Sequence, residues 1–163
     1  DCGLQQGRDE VSNEEFPFAA GSIDYVLITH AHIDHSGRVP MLVKQGFHGQ
    51  ILTTRLTADL MDIMLLDSAH IQESDAEWKN RKAARSGAPH VEPLYTIEDA
   101  AQVREYMTTC EYGQKMELCE GVTVEFNGEN EQIMDAMGQV LLMLLLGIVQ
   151  PVAYFRACSL WNC

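Results

Sequence analysis

The order of apolar and polar positions predicts an α/β fold in the first half of the chain. Residues 23–29 and 50–54 are short runs rich in β-branched and aromatic side chains, which is typical of strands. Residues 39–44 are mostly apolar and predict a short helix, in which Pro40 is tolerated only in the first turn. From residue 57 to about residue 85 the pattern predicts one long helix or two in succession. The apolar side chains expected in its core face are Leu60, Ile63, Met64, Ala69 and Ile71.

Two further signals predict a break in the chain and then another helix. Glycine and proline are concentrated over residues 86–93, which indicates that the long helix ends there. Thr96 and Asp99 have the spacing of a capping box, in which each side chain bonds the backbone of the other residue. The sequence therefore predicts a helix over about residues 97–107.

Alternating residues near the end of this region predict a β-hairpin. Polar and apolar side chains alternate over residues 114–119 and 122–126, which predicts two strands, and Glu120-Gly121 suits the tight turn between them. We expect this hairpin to extend the sheet that begins with residues 23–29. We also expect self-association, because a partial sheet leaves an exposed edge and apolar faces open to a second copy.

Charge and cysteine count restrict the function more than overall composition does. The 163 residues are the size of one domain, and an apolar fraction of 46% is ordinary for a globular protein. A net charge of −13 is unusual for a nucleic-acid binder, which commonly has a basic face. Five cysteines without a close paired spacing indicate neither a disulfide framework nor a zinc knuckle, so a reduced, cytoplasmic setting is expected. The chain starts without Met and shows no signal peptide, and we interpret its N-terminus as cut.

Three histidines and an aspartate lie within six residues, directly after the first predicted strand. The stretch is His30-Ala31-His32-Ile33-Asp34-His35. A loop at the C-terminal end of a strand can turn alternate side chains toward one point, and α/β proteins commonly bind ligands there. His30 and His32 can share one metal ion while Asp34 and His35 reach a second, and such ligands suit Zn²⁺ and, less selectively, Mn²⁺ or Fe. A solvated loop without a ligand is the alternative interpretation.

Three separate segments give the chain a family resemblance. Thr29-His30-Ala31-His32-Ile33-Asp34-His35-Ser36-Gly37 resembles the signature of metallo-β-lactamase-fold hydrolases. Asp1-Cys2-Gly3-Leu4-Gln5-Gln6-Gly7 and Asp67-Ser68-Ala69-His70-Ile71-Gln72-Glu73 resemble stretches of the RNA-processing nuclease branch of that family, which is called β-CASP. The resemblance covers residues 1 to about 127. It implies an α/β fold, namely part of the family's αβ/βα sandwich, with a mixed sheet flanked by helices.

For the chemistry, the resemblance implies a two-metal hydrolase. In the family, the histidines at the positions of His30 and His32 bind the first ion, and Asp34 and His35 fall on positions that bind the second. Two zinc ions would activate a water that hydrolyses a phosphodiester of RNA or other single-stranded nucleic acid, and Asp34 would orient that water or accept its proton. The substrate sequence, the native metal and the choice between internal and terminal cleavage stay open.

The resemblance stops near residue 127. The family places an Asp-Ala-Gly-His-type segment, with the third histidine of the first metal site, where this chain has Asn127-Gly128-Glu129-Asn130. The later aspartate that bridges both metals and the final histidine are also absent. We therefore divide the chain into a partial metallo-β-lactamase domain, residues 1–127, and an unmatched tail, residues 128–163, which we hypothesise is frame-shifted. The apolar run at residues 140–149 is too short to span a bilayer.

Three hypotheses about function remain after these observations. The first is a piece of a metal-dependent hydrolase of the β-CASP ribonuclease type, weakly active or inactive in isolation. The second is a thioester or lactone hydrolase of the same fold, which the acidic charge favours and the two branch-specific segments oppose. The third is a non-catalytic, metal-free remnant, for which the absent later ligands are evidence. Metal content separates the third hypothesis from the others, and activity on RNA or on a thioester separates the first two.

Overall fold

The strands of the main sheet are short and parallel. In the computed structural model, which describes residues 1–5, 7 and 12–127, β1 (Tyr25–Leu27) pairs with β2 (Gln50–Thr54), and β2 pairs with β3 (Met107–Cys110). The order across the sheet is β1-β2-β3. Residues of the helices described below share one hydrophobic core with the strands. The predicted fold class, α/β with a sheet flanked by helices, is confirmed.

β1 is shorter than the strand predicted over residues 23–29, and only alternate residues of this run are buried. It has three residues, and Tyr25 and Leu27 are both partly exposed. Val26 and Ile28 are buried, so this run alternates between core and solvent as an edge strand does. Ile28 continues the pairing for one more residue, because its backbone N–H donates to the carbonyl of Leu52 (2.9 Å). The chain then leaves the sheet at the histidine cluster.

Two short helices follow β1. α1 (Ile33–Ser36) is a single turn, and α2 (Val39–Lys44) coincides with the predicted helix and has Pro40 in its first turn. Proline is tolerated there because the backbone N–H groups of the first helical turn have no intrahelical acceptor, so proline's missing N–H costs no hydrogen bond. All but the last residue of α2 are buried, so this helix anchors the end of the cluster in the core.

The long helix predicted after β2 is one continuous element. α3 (Arg55–Ser86) has 32 residues and starts after Thr54, whose side chain accepts a hydrogen bond from the backbone N–H of Thr57. It ends at Gly87, which adopts the left-handed conformation (φ 72°) that glycine reaches without strain. The predicted break after residue 86 is confirmed.

The predicted core face of α3 is largely wrong. Leu60, Ile63 and Ile71 are 53%, 69% and 53% exposed, whereas Ala69 is buried as predicted and Met64 is partly buried. The buried apolar side chains of α3 are Ala58, Met61, Leu65, Ala69, Ala76 and Ala83, and three of them, Met61, Leu65 and Ala69, belong to the core shared with the sheet. The prediction failed because α3 carries apolar residues on two opposite faces, and helical spacing alone does not decide which face meets the core.

α4 (Ile97–Gln102) begins with the predicted capping box. The Thr96 hydroxyl accepts from the backbone N–H of Asp99 (3.2 Å), and the Asp99 carboxylate accepts from the backbone N–H of Thr96 (2.9 Å). The α-helical part ends earlier than predicted, at Gln102, but Val103–Tyr106 continues as a 3-10 turn, and the chain enters β3 at Met107, close to the predicted end. β3 then pairs with the open edge of β2.

We expect Thr96→Ala to lower the free energy of unfolding by about 1 kcal/mol, because it removes the side-chain acceptor of the cap. Urea denaturation followed by circular dichroism measures the change. Thr123→Ala, at an exposed position of the hairpin, is the matched control and should stay within about 0.5 kcal/mol of wild type. Equal losses in the two variants would contradict a stabilising role of the cap.

The predicted hairpin forms but does not extend the main sheet. β4 (Lys115–Cys119) and β5 (Val122–Glu125) pair antiparallel around the predicted Glu120-Gly121 turn. They make a separate two-stranded sheet, so the expected extension of the first sheet is wrong. β3, which the sequence did not predict, pairs with β2 in the main sheet. A side-chain contact still links the two sheets, since the Tyr25 hydroxyl donates to the carbonyl of Leu118 (2.8 Å).

Several remaining predictions are tested only in part. Within the described residues, no helix combines the length and apolarity needed to cross a membrane. Cys2, Cys110 and Cys119 do not pair with one another there. The domain boundary at residue 127 and the cytoplasmic setting stay predictions, and the frame-shift hypothesis concerns a tail that lies outside the described residues.

Candidate metal centre

The histidine cluster lies at the C-terminal end of β1, as predicted. His30 and His32 occupy the loop between β1 and α1. Asp34 and His35 belong to α1 itself, so the prediction that a loop holds all four side chains is wrong for these two. The reason is local, because the backbone N–H of His35 and of Ser36 both donate to the carbonyl of His32 (2.9 Å each) and close a helical turn.

The first pair of candidate ligands is His30 and His32. His30 Nε2 lies 3.1 Å from His32 Nδ1, with the two rings edge to face at 80°. Two nitrogens bound to one tetrahedral zinc at its usual bond length are separated by about 3.3 Å. The geometry of this pair therefore fits two ligands of one ion.

The second pair is Asp34 and His35. His35 Nε2 lies 3.7 Å from Asp34 Oδ2, and both side chains are open to solvent. The His35 ring packs on the ring of His30 with 4.0 Å between centroids, so the two pairs are adjacent. Imidazole nitrogen and carboxylate oxygen are a donor set that zinc accepts.

Asp1 is a site residue that the sequence analysis quoted but gave no role. Its Oδ2 accepts from Nδ1 of His35 (2.7 Å), and its Oδ1 accepts from the backbone N–H of Thr29 (2.8 Å). The Thr29 hydroxyl contacts both carboxylate oxygens (3.0 and 3.1 Å) and lies 3.0 Å from Nδ1 of His30. Because the Thr29 hydroxyl donates its one proton to Asp1, its oxygen can only accept a hydrogen bond from His30. Nδ1 of His30 must then carry a proton. Asp1 thereby favours, in both His30 and His35, the tautomer whose Nε2 is free to bind a metal.

Hydrogen bonds between backbones hold the first residues of the chain against α1. Cys2 N–H donates to the carbonyl of His35 (2.7 Å), and Leu4 N–H donates to the carbonyl of Ile33 (2.9 Å). Between them Gly3 lies so close to α1 that a Cβ there would be 1.7 Å from the carbonyl oxygen of Asp34. This packing places Asp1 at the cluster. The Asp-Cys-Gly segment was the sequence signal that could have indicated a role for Asp1. The sequence alone did not show that this segment packs on α1, about thirty residues further along the chain.

Two titratable groups in the site have altered pKa values. Burial raises the pKa of the Cys2 thiol to about 11, so Cys2 stays protonated at neutral pH and is a poor metal ligand. Loss of solvation, followed by the charges of His35 and His32, lowers the pKa of His30. A lowered pKa keeps His30 neutral to lower pH, which is the form that binds a metal.

The other histidines of the described region do not join the cluster. His48 Nδ1 contacts the carbonyl of Gly46 (3.2 Å), and His90 Nε2 contacts the side-chain nitrogen of Asn80 (3.1 Å). Both side chains are exposed on the surface. His70 is exposed on α3.

The described residues supply only part of a catalytic metal site. Among them, no group of three or more His, Cys, Asp or Glu side chains converges on one point where an ion could be held. A catalytic zinc commonly has three protein ligands and a water. The two pairs therefore fit zinc in donor type, and the first also in geometry, but each pair is one donor short. The next acidic side chains along the sequence, Glu129 and Glu131, lie outside the described residues.

Comparison with known proteins agrees with this arrangement. Residues 1–107 match the family model of the metallo-beta-lactamase superfamily. The match covers more than half of the chain, and the chain belongs to this superfamily. The family predicted from the three sequence segments is confirmed.

The relatives found among characterised proteins act in RNA metabolism. The chain is 34% identical to Ribonuclease TTHA0252 of Thermus thermophilus over 119 residues, 72% of this chain and 23% of the relative. It is 44% identical to Transcription termination factor FttA of Methanosarcina mazei over 73 residues, 41% of this chain and 11% of the relative. A third relative, FttA of Methanothermobacter thermautotrophicus, is 26% identical over 146 residues, 86% of this chain and 21% of the relative. The chain spans less than a quarter of the length of these relatives.

Proposed function

We propose that this chain carries the first part of the two-metal centre of a hydrolase that cleaves RNA phosphodiesters. His30 and His32 hold one zinc ion, and Asp34 and His35 hold the second. Each pair is one donor short of a catalytic zinc site, so we expect the isolated chain to cleave RNA only weakly. The observation that carries the proposal is the 3.1 Å separation between His30 Nε2 and His32 Nδ1 at the end of a sheet strand. The match to a ribonuclease over most of the chain supports RNA as the substrate.

Each residue of the cluster has a separate role in the proposed reaction. When bound, zinc supplies positive charge that activates water and stabilises charge developing on the phosphate. Asp34 has a solvent-exposed carboxylate beside His35, where it orients the attacking water or accepts its proton. Asp1 and Thr29 hold the imidazoles of His30 and His35 with Nε2 available. The chain's net charge of −13 supplies no general attraction for nucleic acid. Recognition of the substrate in this proposal therefore rests on contacts between its phosphate and the metal centre.

We expect the purified chain to bind at least one equivalent of zinc, and His30→Ala and Asp34→Ala each to reduce that amount. Equilibrium dialysis followed by elemental analysis measures it. His48→Ala and His90→Ala are matched controls, because these exposed histidines lie outside the cluster, and they should bind as much zinc as wild type. A wild-type chain without zinc would overturn the metal centre and favour the non-catalytic remnant.

Substrate class is tested with the zinc-loaded chain. Single-stranded RNA of mixed sequence and a simple thioester are offered in parallel, with Asp34→Asn as the inactive control. The proposal expects RNA cleavage that Asp34→Asn removes and no hydrolysis of the thioester. Thioester hydrolysis without RNA cleavage would favour the second enzyme class of this fold.

A further inference from the structure

Arg38 is a cationic side chain in the interior of the protein. It precedes the first residue of α2 and is only 9% exposed. Arginine is rarely buried to this extent unless an acidic group pairs with it. Arg38 makes no ion pair with a carboxylate of the described residues. The reason for a guanidinium at this position must therefore lie in its other contacts.

The Arg38 guanidinium holds residues 13–18. Its Nη2 donates to the backbone carbonyl of Glu15, and its Cζ lies 4.1 Å from the centroid of the Phe16 ring. Phe16 packs against the core and stacks on Phe18, with 5.2 Å between the ring centroids. A guanidinium is planar, so its edge can donate a hydrogen bond while its face lies on a ring. An apolar side chain of similar length would supply neither contact.

The segment that Arg38 holds is also bonded to the first residues of the chain. The backbone N–H of Gln5 donates to Oδ1 of Asn13 (2.8 Å), and the Asn13 amide donates back to the carbonyl of Gln5 (3.0 Å). The backbone N–H of Arg38 donates to the carbonyl of Cys2 (2.9 Å). Arg38 therefore bonds to residues 1–5 directly, and it also holds the segment that bonds to them from elsewhere in the chain.

We propose that Arg38 is a positioning residue of the metal centre and that it acts through Asp1. The inference rests on the proposed function, because it concerns the same candidate ligands. By holding residues 1–5 in place, Arg38 keeps the Asp1 carboxylate on Nδ1 of His35 (2.7 Å). Nε2 of His35 then stays without a proton and free to bind an ion.

Arg38→Met removes both side-chain contacts and is the first test. Methionine is unbranched and adaptable, and an apolar replacement leaves no buried charge behind. We expect this variant to weaken zinc binding at least about threefold in the folded protein, but less than Asp1→Asn does, because Arg38 touches no ligand side chain. In the metal-free protein, the imidazole ¹⁵N shifts of His35 should move toward those of Asp1→Asn. Zinc titration and NMR measure the two changes.

A double variant separates positioning from simple destabilisation. If Arg38 acts through Asp1, Arg38→Met should weaken zinc binding no further once Asp1→Asn is present. Losses with independent causes would instead multiply. Urea denaturation measures stability separately, so that zinc affinity is compared for the folded protein alone.

Two further variants control for misfolding and for charge. Asn13→Ala removes both bonds to Gln5 at a partly exposed position, so it should fold as wild type does. It should move the His35 shifts in the same direction as Arg38→Met. Arg81→Met removes the same charge from an exposed position on α3 and should leave the shifts and the zinc affinity unchanged. Circular dichroism checks the folding of each variant.

Three outcomes would overturn the role of Arg38. The first is a folded Arg38→Met variant whose His35 shifts equal those of wild type. The second is a double variant in which the two losses of zinc affinity multiply. The third is an equal loss in Arg81→Met, which would attribute the effect to charge. A wild-type chain that binds no zinc would overturn the proposed function instead, and the His35 shifts, which need no zinc, would still decide the role of Arg38.

Discussion

Replacing Gly3 by alanine should lower the free energy of unfolding by about 3 kcal/mol and weaken zinc binding with it. The added Cβ would lie 1.7 Å from the carbonyl oxygen and 2.1 Å from the carbonyl carbon of Asp34, and 2.6 Å from the nitrogen of His35. These are backbone atoms of α1, so a change of rotamer cannot relieve the clash. The first residues of the chain must move away from α1, and Asp1 moves with them. Urea denaturation and zinc titration measure the two losses.

Two other glycines are the controls for this experiment. Gly21→Ala should destabilise the chain much less than Gly3→Ala, because its Cβ would lie 3.3 Å from the carbonyl oxygen of Gly46, a tight contact that a shift of a few tenths of an ångström relieves. Gly49→Ala should be destabilising, since its Cβ would lie 2.1 Å from the carbonyl oxygen of Asp24 at the other end of β1. The Gly49 variant should nevertheless keep the zinc affinity of its folded fraction. Wild-type stability of Gly3→Ala would contradict the close packing of this segment on α1.

Changing Asp1 to asparagine should reduce zinc affinity about 10- to 100-fold while the chain stays folded. The amide oxygen can still accept from the backbone N–H of Thr29, so the local backbone is retained. The amide nitrogen, however, is a donor, and facing Nδ1 of His35 it favours the tautomer that carries its proton on Nε2. That proton occupies the position the metal needs. The imidazole ¹⁵N chemical shifts of the metal-free protein report the tautomer directly.

The control for Asp1 is Asp24→Asn. Asp24 is an exposed acid at the opposite end of β1, so its replacement changes the net charge equally and should leave zinc affinity unchanged. Unaltered ¹⁵N shifts of His35 in Asp1→Asn would contradict the proposed role of Asp1. Equal losses of zinc in the two variants would instead attribute the effect to net charge.

The sequence predicts the position of the candidate site well, because the site is encoded locally. His30, His32, Asp34 and His35 are neighbours in the chain, and the apolar run before them indicates where the strand ends. α2 and β2 were predicted at the observed residues for the same reason. In each case a few adjacent residues determine both the element and its boundaries.

Features that depend on distant contacts escaped prediction. The role of Asp1 rests on contacts to residues 28 and 34 positions away. β3 directly follows the predicted helix, at residues that no local pattern marked as a strand, and it forms because the edge of β2 accepts a strand there. The core face of α3 could not be chosen from spacing, since both Leu60 and Leu65 belong to apolar faces. Only the position of the sheet decides which of them is buried.

Because Asp1 contacts His35 directly and His30 through Thr29, a single carboxylate serves both pairs of candidate ligands. The affinities of the two proposed ions are then thermodynamically linked. Whatever factor the occupancy of one site contributes to the affinity of the other, the second site contributes the same factor to the first. A substitution at Asp1 should therefore change the affinities of both sites together and cannot adjust one without the other.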